Sequence, residues 1–162
     1  AGGAPTSFQF LDENGDPTIE PDGLTFDTSD GSLYGMPEVS QDQVHYKIKA
    51  INSVGSSTID FYLTINKRNQ ILTFDPLHAM LITDPDQALT ALVDSGLQAH
   101  FTVDDSAICV IDNGYVHALS EGYCTVTAIQ PGTPASYAAS NSISRTFRIT
   151  AAMLPPVITL TN

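Results

Sequence analysis

The sequence predicts an all-β fold, and three observations support this class. Several segments alternate apolar and polar residues with a period of two, which is typical of half-buried strands. The chain is rich in Thr, Ser, Asp and Gly, which favours short strands joined by many turns. Aromatic residues make up 8% of the chain, Trp is absent, and little in this composition would form long helices.

Two domains are the better expectation for this length. A chain of 162 residues with 42% apolar content can form one large domain or two small ones. A weak internal repeat of roughly 75 to 85 residues favours two. We predict domains over residues 1–66 and 67–152, followed by the start of a further repeat or a tail over residues 153–162. The segment NKRNQ joins the two and contains neither Gly nor Pro, which predicts a stiff junction.

The first domain contains the clearest hairpin signal. VHYKIKA and IDFYLTI both alternate, and the turn-forming segment NSVGSS separates them. The predicted inward positions are Val44, Tyr46, Ile48 and Ala50 in the first strand and Ile59, Phe61, Leu63 and Ile65 in the second. His45, Lys47 and Lys49 are predicted to face solvent.

The second domain repeats this arrangement. CTVTAIQ and ISRTFRI alternate, and a long PGTPASYAASNS loop lies between them. Phe147 and Ile149 are predicted to face inward. Arg145 shares their parity, so we expect it at the rim of the sheet. At the C-terminus, VITLTN follows two prolines and alternates in the manner of a further strand.

Net charge argues against two classes of partner. Eighteen acidic residues against six basic ones give a formal charge of −12, which repels both nucleic-acid phosphates and anionic lipid surfaces. The chain also lacks a run of about 18 apolar residues that could cross a bilayer. We therefore expect no nucleic-acid partner and no membrane insertion.

Cys109 and Cys124 are the only two cysteines of the chain. A metal site, a redox pair and a structural disulfide are all open for them. A zinc site would need two further ligands, but the four histidines are scattered and no CxxC or HxxxH spacing occurs. A catalytic cysteine would need a base, and the sequence identifies none.

LDENGDP is the best candidate for a cation site. Asp12, Asn14 and Asp16 stand at alternate positions, so three side-chain oxygens could meet on one Ca²⁺. The EF-hand pattern fails, because Pro17 occupies its sixth position and Gly23 its twelfth. An Asx-rich β-turn explains the same residues equally well. We therefore expect a plain turn here, with a calcium site as the alternative, and Ca²⁺ is the one candidate cofactor of the chain.

Two sets of motifs resemble known repeats. In the first half, GLTF, GSLYGMP and YKIKAIN occur in the order found in immunoglobulin-like (Ig-like) repeats of large bacterial surface proteins. This resemblance covers most of residues 5–66, although the opening strand of the repeat is missing. The second half, from NQILTFDPL to RTFRIT, resembles another bacterial Ig-like repeat that follows such modules in long secreted proteins. Both cysteines of that repeat are matched, at Cys109 and Cys124.

The resemblance implies two tandem Ig-like β-sandwich domains and a disulfide between adjacent strands through Cys109 and Cys124. It further implies a non-catalytic stalk or adhesion segment of a bacterial protein that is secreted or displayed at the cell surface. Partners would be neighbouring Ig-like repeats of the same chain and a host or matrix protein or a glycan. The alternative is an accessory spacer or carbohydrate-binding module of a secreted polysaccharide-degrading enzyme. The few outward aromatic candidates, chiefly Tyr62 and Tyr123, disfavour this alternative.

Overall fold

The computed structural model describes residues 3–151, and all regular secondary structure in this range is β-strand. The chain divides into two compact units. Among the described residues, the first unit comprises 3–68 together with 133–137, and the second comprises 69–132 and 138–151. The predicted repeat start or tail at 153–162 lies outside the described residues.

The first unit contains five strands. They are β1 (Ser7–Leu11), β2 (Leu24–Phe26), β3 (Leu33–Gly35), β4 (Gln41–Asn52) and β5 (Gly55–Ile65). One sheet has the order β1-β4-β5, and β2 pairs with β3 in a second, smaller sheet. Phe10, Phe26 and Tyr46 form the buried core. The Phe10 ring lies 5.5 Å from that of Phe26 and 4.9 Å from that of Tyr46, between centroids.

The predicted hairpin of the first unit is confirmed. Strands β4 and β5 pair in antiparallel fashion, with Ile48 opposite Ile59, and only two residues separate them at the turn. The inward prediction was wrong for Ile59 and Val44, which are 61% and 38% exposed. The facing sheet consists of two strands of three residues each, so it is too small to cover the whole of an eleven-residue strand.

Strand β1 was not assigned from the sequence. Its alternation covers only four residues, from Ser7 to Phe10, before the apolar Leu11 breaks it, so the period-two signal is short. The strand is nevertheless part of the larger sheet, where Phe10 pairs with Ile48 and Leu11 with Lys47. Phe10 and Leu11 are both buried, so β1 contributes directly to the first core.

The second unit contains nine short strands. They are β6 (Leu72–Phe74), β7 (Met80–Leu81), β8 (Gln87–Ala88), β9 (Ala91–Val93), β10 (His100–Val103), β11 (Cys109–Asp112), β12 (Tyr115–Ala118), β13 (Gly122–Ile129) and β14 (Ile143–Thr150). They form a sheet of order β10-β13-β14-β7, a sheet of order β11-β12-β8 and the pair β6-β9. The predicted pairing of CTVTAIQ with ISRTFRI is confirmed as β13 with β14.

The core of the second unit lies between these sheets. Alternate residues of β13 and β14 point into it, and several are fully buried: Cys124, Val126, Ala128 and Ile149. Arg145 has the same parity and is partly buried. Its Nε and Nη2 donate to the backbone carbonyl of Phe74 at 3.2 and 2.7 Å. Two nitrogens of the guanidinium therefore have a hydrogen-bond acceptor at the end of β6.

Candidate functional site

The two cysteines form a disulfide in the core of the second unit. Cys109 opens β11, Cys124 lies in β13, their Cα atoms are 6.0 Å apart, and both residues are fully buried. The expectation of adjacent strands was wrong. β11 pairs with β12 and β13 pairs with β10 and β14, so the disulfide joins two different sheets. It cross-links the two layers of the sandwich where the apolar side chains meet.

Asp104 supports the strand that carries Cys124. Its Oδ1 accepts the backbone N–H of Thr125 at 3.0 Å and that of Asp105 at 2.9 Å. The N–H of Thr125 is the main reason that the pKa of Asp104 lies below its ordinary value. The carboxylate thus links the turn that follows β10 to the backbone of β13.

Asp12, Asn14 and Asp16 share one tight turn. Asp12 Oδ1 accepts the backbone N–H groups of Asn14 and Asp16, both at 2.9 Å, and the backbone N–H of Asp12 donates to the carbonyl of Asp16. The bond from Asp16 is the first cause, and that from Asn14 a further one, of a lowered pKa at Asp12. The Asp12 carboxylate is therefore already an acceptor within its own turn.

A calcium role for these three residues stays a prediction. Between residues 3 and 151 the structure contains no cluster of three or more His, Cys, Asp or Glu side chains that could hold a metal ion. Asn14 adds an amide oxygen to the two carboxylates of this turn, and oxygen ligands of this kind suit Ca²⁺. The backbone N–H groups that Asp12 accepts give this segment the geometry of an Asx turn.

Sequence reasoning missed a polar cluster on the solvent face of the β4–β5 hairpin. His45 Nε2 lies 2.8 Å from Asp60 Oδ1, Lys47 Nζ lies 3.9 Å from the same oxygen, and the His45 ring stacks on Tyr62 at 4.8 Å between centroids. His45 pairs with Tyr62 and Lys47 with Asp60 across the strands. The alternation placed these residues outward, but their contacts depend on the register between the strands.

This cluster borders an open cleft of about 560 Å³ on the first unit. Asp12 and Asn14 of the turn line this cleft together with His45 and Tyr62. Tyr62 is 64% exposed, so an aromatic surface and several oxygen groups lie close together. Such a combination can hold a polar ligand loosely at the surface.

A second histidine pair lies on the second unit. His117 Nδ1, on β12, is 2.6 Å from Asp86 Oδ1, and both side chains are about half exposed. Neither this pair nor His45 with Asp60 contacts the cysteines.

The described residues, 3–151, include no helical segment with the length and hydropathy needed to span a membrane.

Comparisons with known proteins agree with this architecture. Residues 6–66 match the family model described as "Putative Ig domain". No curated protein gives a significant match. Titin domains z1z2, solved in complex with telethonin, match with a TM-score of 0.52 and 14% identity over 93% of this chain and 84% of that one.

Two further solved structures match with lower TM-scores. Human protocadherin-24 EC1-2 matches with a TM-score of 0.43 and 9% identity over 93% of this chain and 83% of that one. The fibronectin(III)-like modules of Clostridium thermocellum CbhA match with a TM-score of 0.37 and 16% identity over 99% of this chain and 87% of theirs. The family match, the titin match and the strand-only architecture together show an all-β, Ig-like sandwich fold.

Proposed function

We propose that this chain is a non-catalytic Ig-like segment from the stalk or adhesion region of a large bacterial protein, secreted or displayed at the cell surface. The observation that supports it best is the buried disulfide between Cys109 and Cys124. Structural disulfides form and persist in oxidising compartments and are rare in the cytosol. An Ig-like sandwich with such a cross-link fits a module that must keep its shape outside the cell.

The electrostatics and surface chemistry agree with a structural role. The charge of −12 keeps such a segment soluble and away from anionic lipid and nucleic acid. The two histidine–carboxylate pairs of the described residues are solvent-exposed, and neither lies beside a nucleophilic cysteine or within the apolar cores. Partners in this proposal are neighbouring Ig-like repeats of the same chain and a host or matrix protein or a glycan.

One observation favours a second candidate, an accessory spacer or carbohydrate-binding module of a secreted polysaccharide-degrading enzyme. Tyr62 and Tyr123 are 64% and 66% exposed, and Tyr62 borders the cleft that also contains Asp12 and Asn14. Exposed aromatic rings combine an apolar face with a polar hydroxyl, a combination that suits sugar rings. His45 already stacks on Tyr62, however, which occupies part of the ring surface.

A glycan array tests the carbohydrate-binding module. Residues 1–162 should give no signal above background on plant and bacterial polysaccharides if the segment acts only as a stalk or spacer. Binding that falls at least tenfold in the Tyr62→Ala variant, and is kept in Tyr34→Ala, would instead support the carbohydrate-binding module. Tyr34 is the matched control because it is 56% exposed in the same unit and lies outside the cleft.

A further inference from the structure

We propose that the outer edge of β5 is a docking site for residues 157–161 of a second copy of this chain. The sheet order β1-β4-β5 places β5 at one end. Within residues 3–151, β5 pairs with β4 alone, so its other side presents backbone N–H and C=O groups along eleven residues. An edge of this kind can accept an added strand.

The apolar layer of the first unit stops short of this edge. Ile59 lies on the same face of β5 as Phe61 and Leu63, which pack against the core cluster, because side chains alternate along a strand. Ile59 is nevertheless 61% exposed. A strand added beside β5 would place its own side chains next to Ile59 and continue the apolar layer.

The edge also lacks the usual protection against pairing. Natural edge strands are often blocked by Lys, Pro or an inward-pointing charge. β5 contains no Lys, Arg or Pro, and Asp60 is its only charged residue. Asp60 points to the outer face, where His45 and Lys47 lie near its carboxylate. Neither the backbone edge nor the core face is therefore shielded by charge.

The sequence VITLT has the pattern that this edge requires. Ile158 and Leu160 are two positions apart, which matches the spacing of Ile59 and Phe61 on the core face of β5. Val157, Thr159 and Thr161 would then lie on the outer face, beside Thr58 and the other polar residues of β5. Residues 152–162 contain no charged side chain, so the strongly acidic body of another copy does not repel them. Each copy carries one β5 edge and one such segment, so two copies can each donate the segment to the β5 edge of the other.

Light scattering over a micromolar to millimolar range tests the proposal. We expect concentration-dependent association of residues 1–162 and none of residues 1–154. A synthetic PPVITLTN peptide should bind to the truncated chain and slow hydrogen exchange at β5 amides. In the full chain, Ile59→Lys should weaken association at least tenfold, whereas Ile19→Lys should not. Ile19 is the matched control because it is 84% exposed in the same unit and lies outside β5.

Several outcomes would overturn the proposal. A full chain that stays monomeric at millimolar concentration would do so, including the case in which the peptide still binds, since that would indicate docking within one copy. Equal association of the truncated chain would exclude residues 157–161 as the occupant. Equal weakening by the two lysine variants would show that β5 is not the site. Circular dichroism of both variants checks that they keep the fold, as expected for exposed positions.

Discussion

At the scale of single residues, Asp12 shows how one carboxylate makes a turn depend on pH. Its pKa lies below the ordinary value of 3.8, chiefly because the ionised form accepts the N–H of Asp16 and also that of Asn14. A carboxyl whose pKa is lowered on folding stabilises the native state above its unfolded pKa. That contribution is lost as the pH falls from 3.8 through the lower, native value.

Replacing Asp12 tests whether this carboxylate makes the protein less stable as the pH falls. The Asp12→Asn side chain can still accept both N–H groups but does not titrate, so its free energy of unfolding should fall less than that of the wild type between pH 5 and pH 2. The matched variant Asp12→Ala lacks the acceptor and should be less stable than Asp12→Asn at neutral pH. Urea unfolding at several pH values measures both differences. Parallel pH profiles for wild type and Asp12→Asn would contradict the assignment.

The sequence anticipated some residue contacts and not others. Asp12, Asn14 and Asp16 could be grouped because they are neighbours in the chain, and they do share one turn. The contact of His45 with Asp60 could not be foreseen, since it depends on cross-strand register, and a shift of one residue would place the partners on opposite faces. The family resemblance implied the pairing of Cys109 with Cys124 but not that it spans two sheets.

At the scale of elements, the β2–β3 pair depends on a close approach of two glycines. Gly35 has φ 138°, and a Cβ added there would lie 2.1 Å from the carbonyl oxygen of Gly23, where no such contact is tolerated. Gly23 and Gly35 belong to the GLTF and GSLYGMP motifs that suggested the Ig-like repeat. Glycine is therefore required at these motif positions for a steric reason, because a side chain would keep the two short strands apart.

Gly35→Ala should accordingly destabilise the first unit. Backbone strain and the forced separation of the strands together should cost about 2 to 4 kcal/mol. Gly55→Ala is the matched control: no atom lies within 4 Å of its added Cβ and its φ is outside the left-handed region, so the change should be small. Urea unfolding of both variants measures the difference. Equal stability of the two would contradict the steric account.

Strands were predicted correctly where the alternating pattern is long. The prediction failed for very short strands and for burial that depends on the opposite sheet. Strands β4, β5, β13 and β14 have eight to twelve residues, and their pairing followed from the sequence. Strands β7 and β8 have two residues each, too few for any periodic signal. The exposure of Ile59 depends on how far the opposite sheet extends, which no local pattern records.

At the scale of the whole molecule, residues 3–151 form two separate apolar cores. One surrounds Phe10, Phe26 and Tyr46, the other surrounds the disulfide, and the two clusters share no residue. Each unit can thus be expected to have its own stability, and a change confined to one core should leave the other unaffected. The disulfide offers a means of testing this expectation because it lies entirely within the second core.

Removing the disulfide should therefore weaken only the second unit. In the entropic model, a cross-link across this separation of fifteen residues stabilises the fold by about 3 kcal/mol. The Cys109→Ala/Cys124→Ala variant should lose hydrogen-exchange protection in β13 and β14 and keep it in β4 and β5. Reduced wild-type protein is the control, since it retains both buried sulfur atoms and isolates the effect of the cross-link from that of lost packing. Equal loss of protection in β4 and β5 would mean that the two cores unfold together, and would contradict independent units.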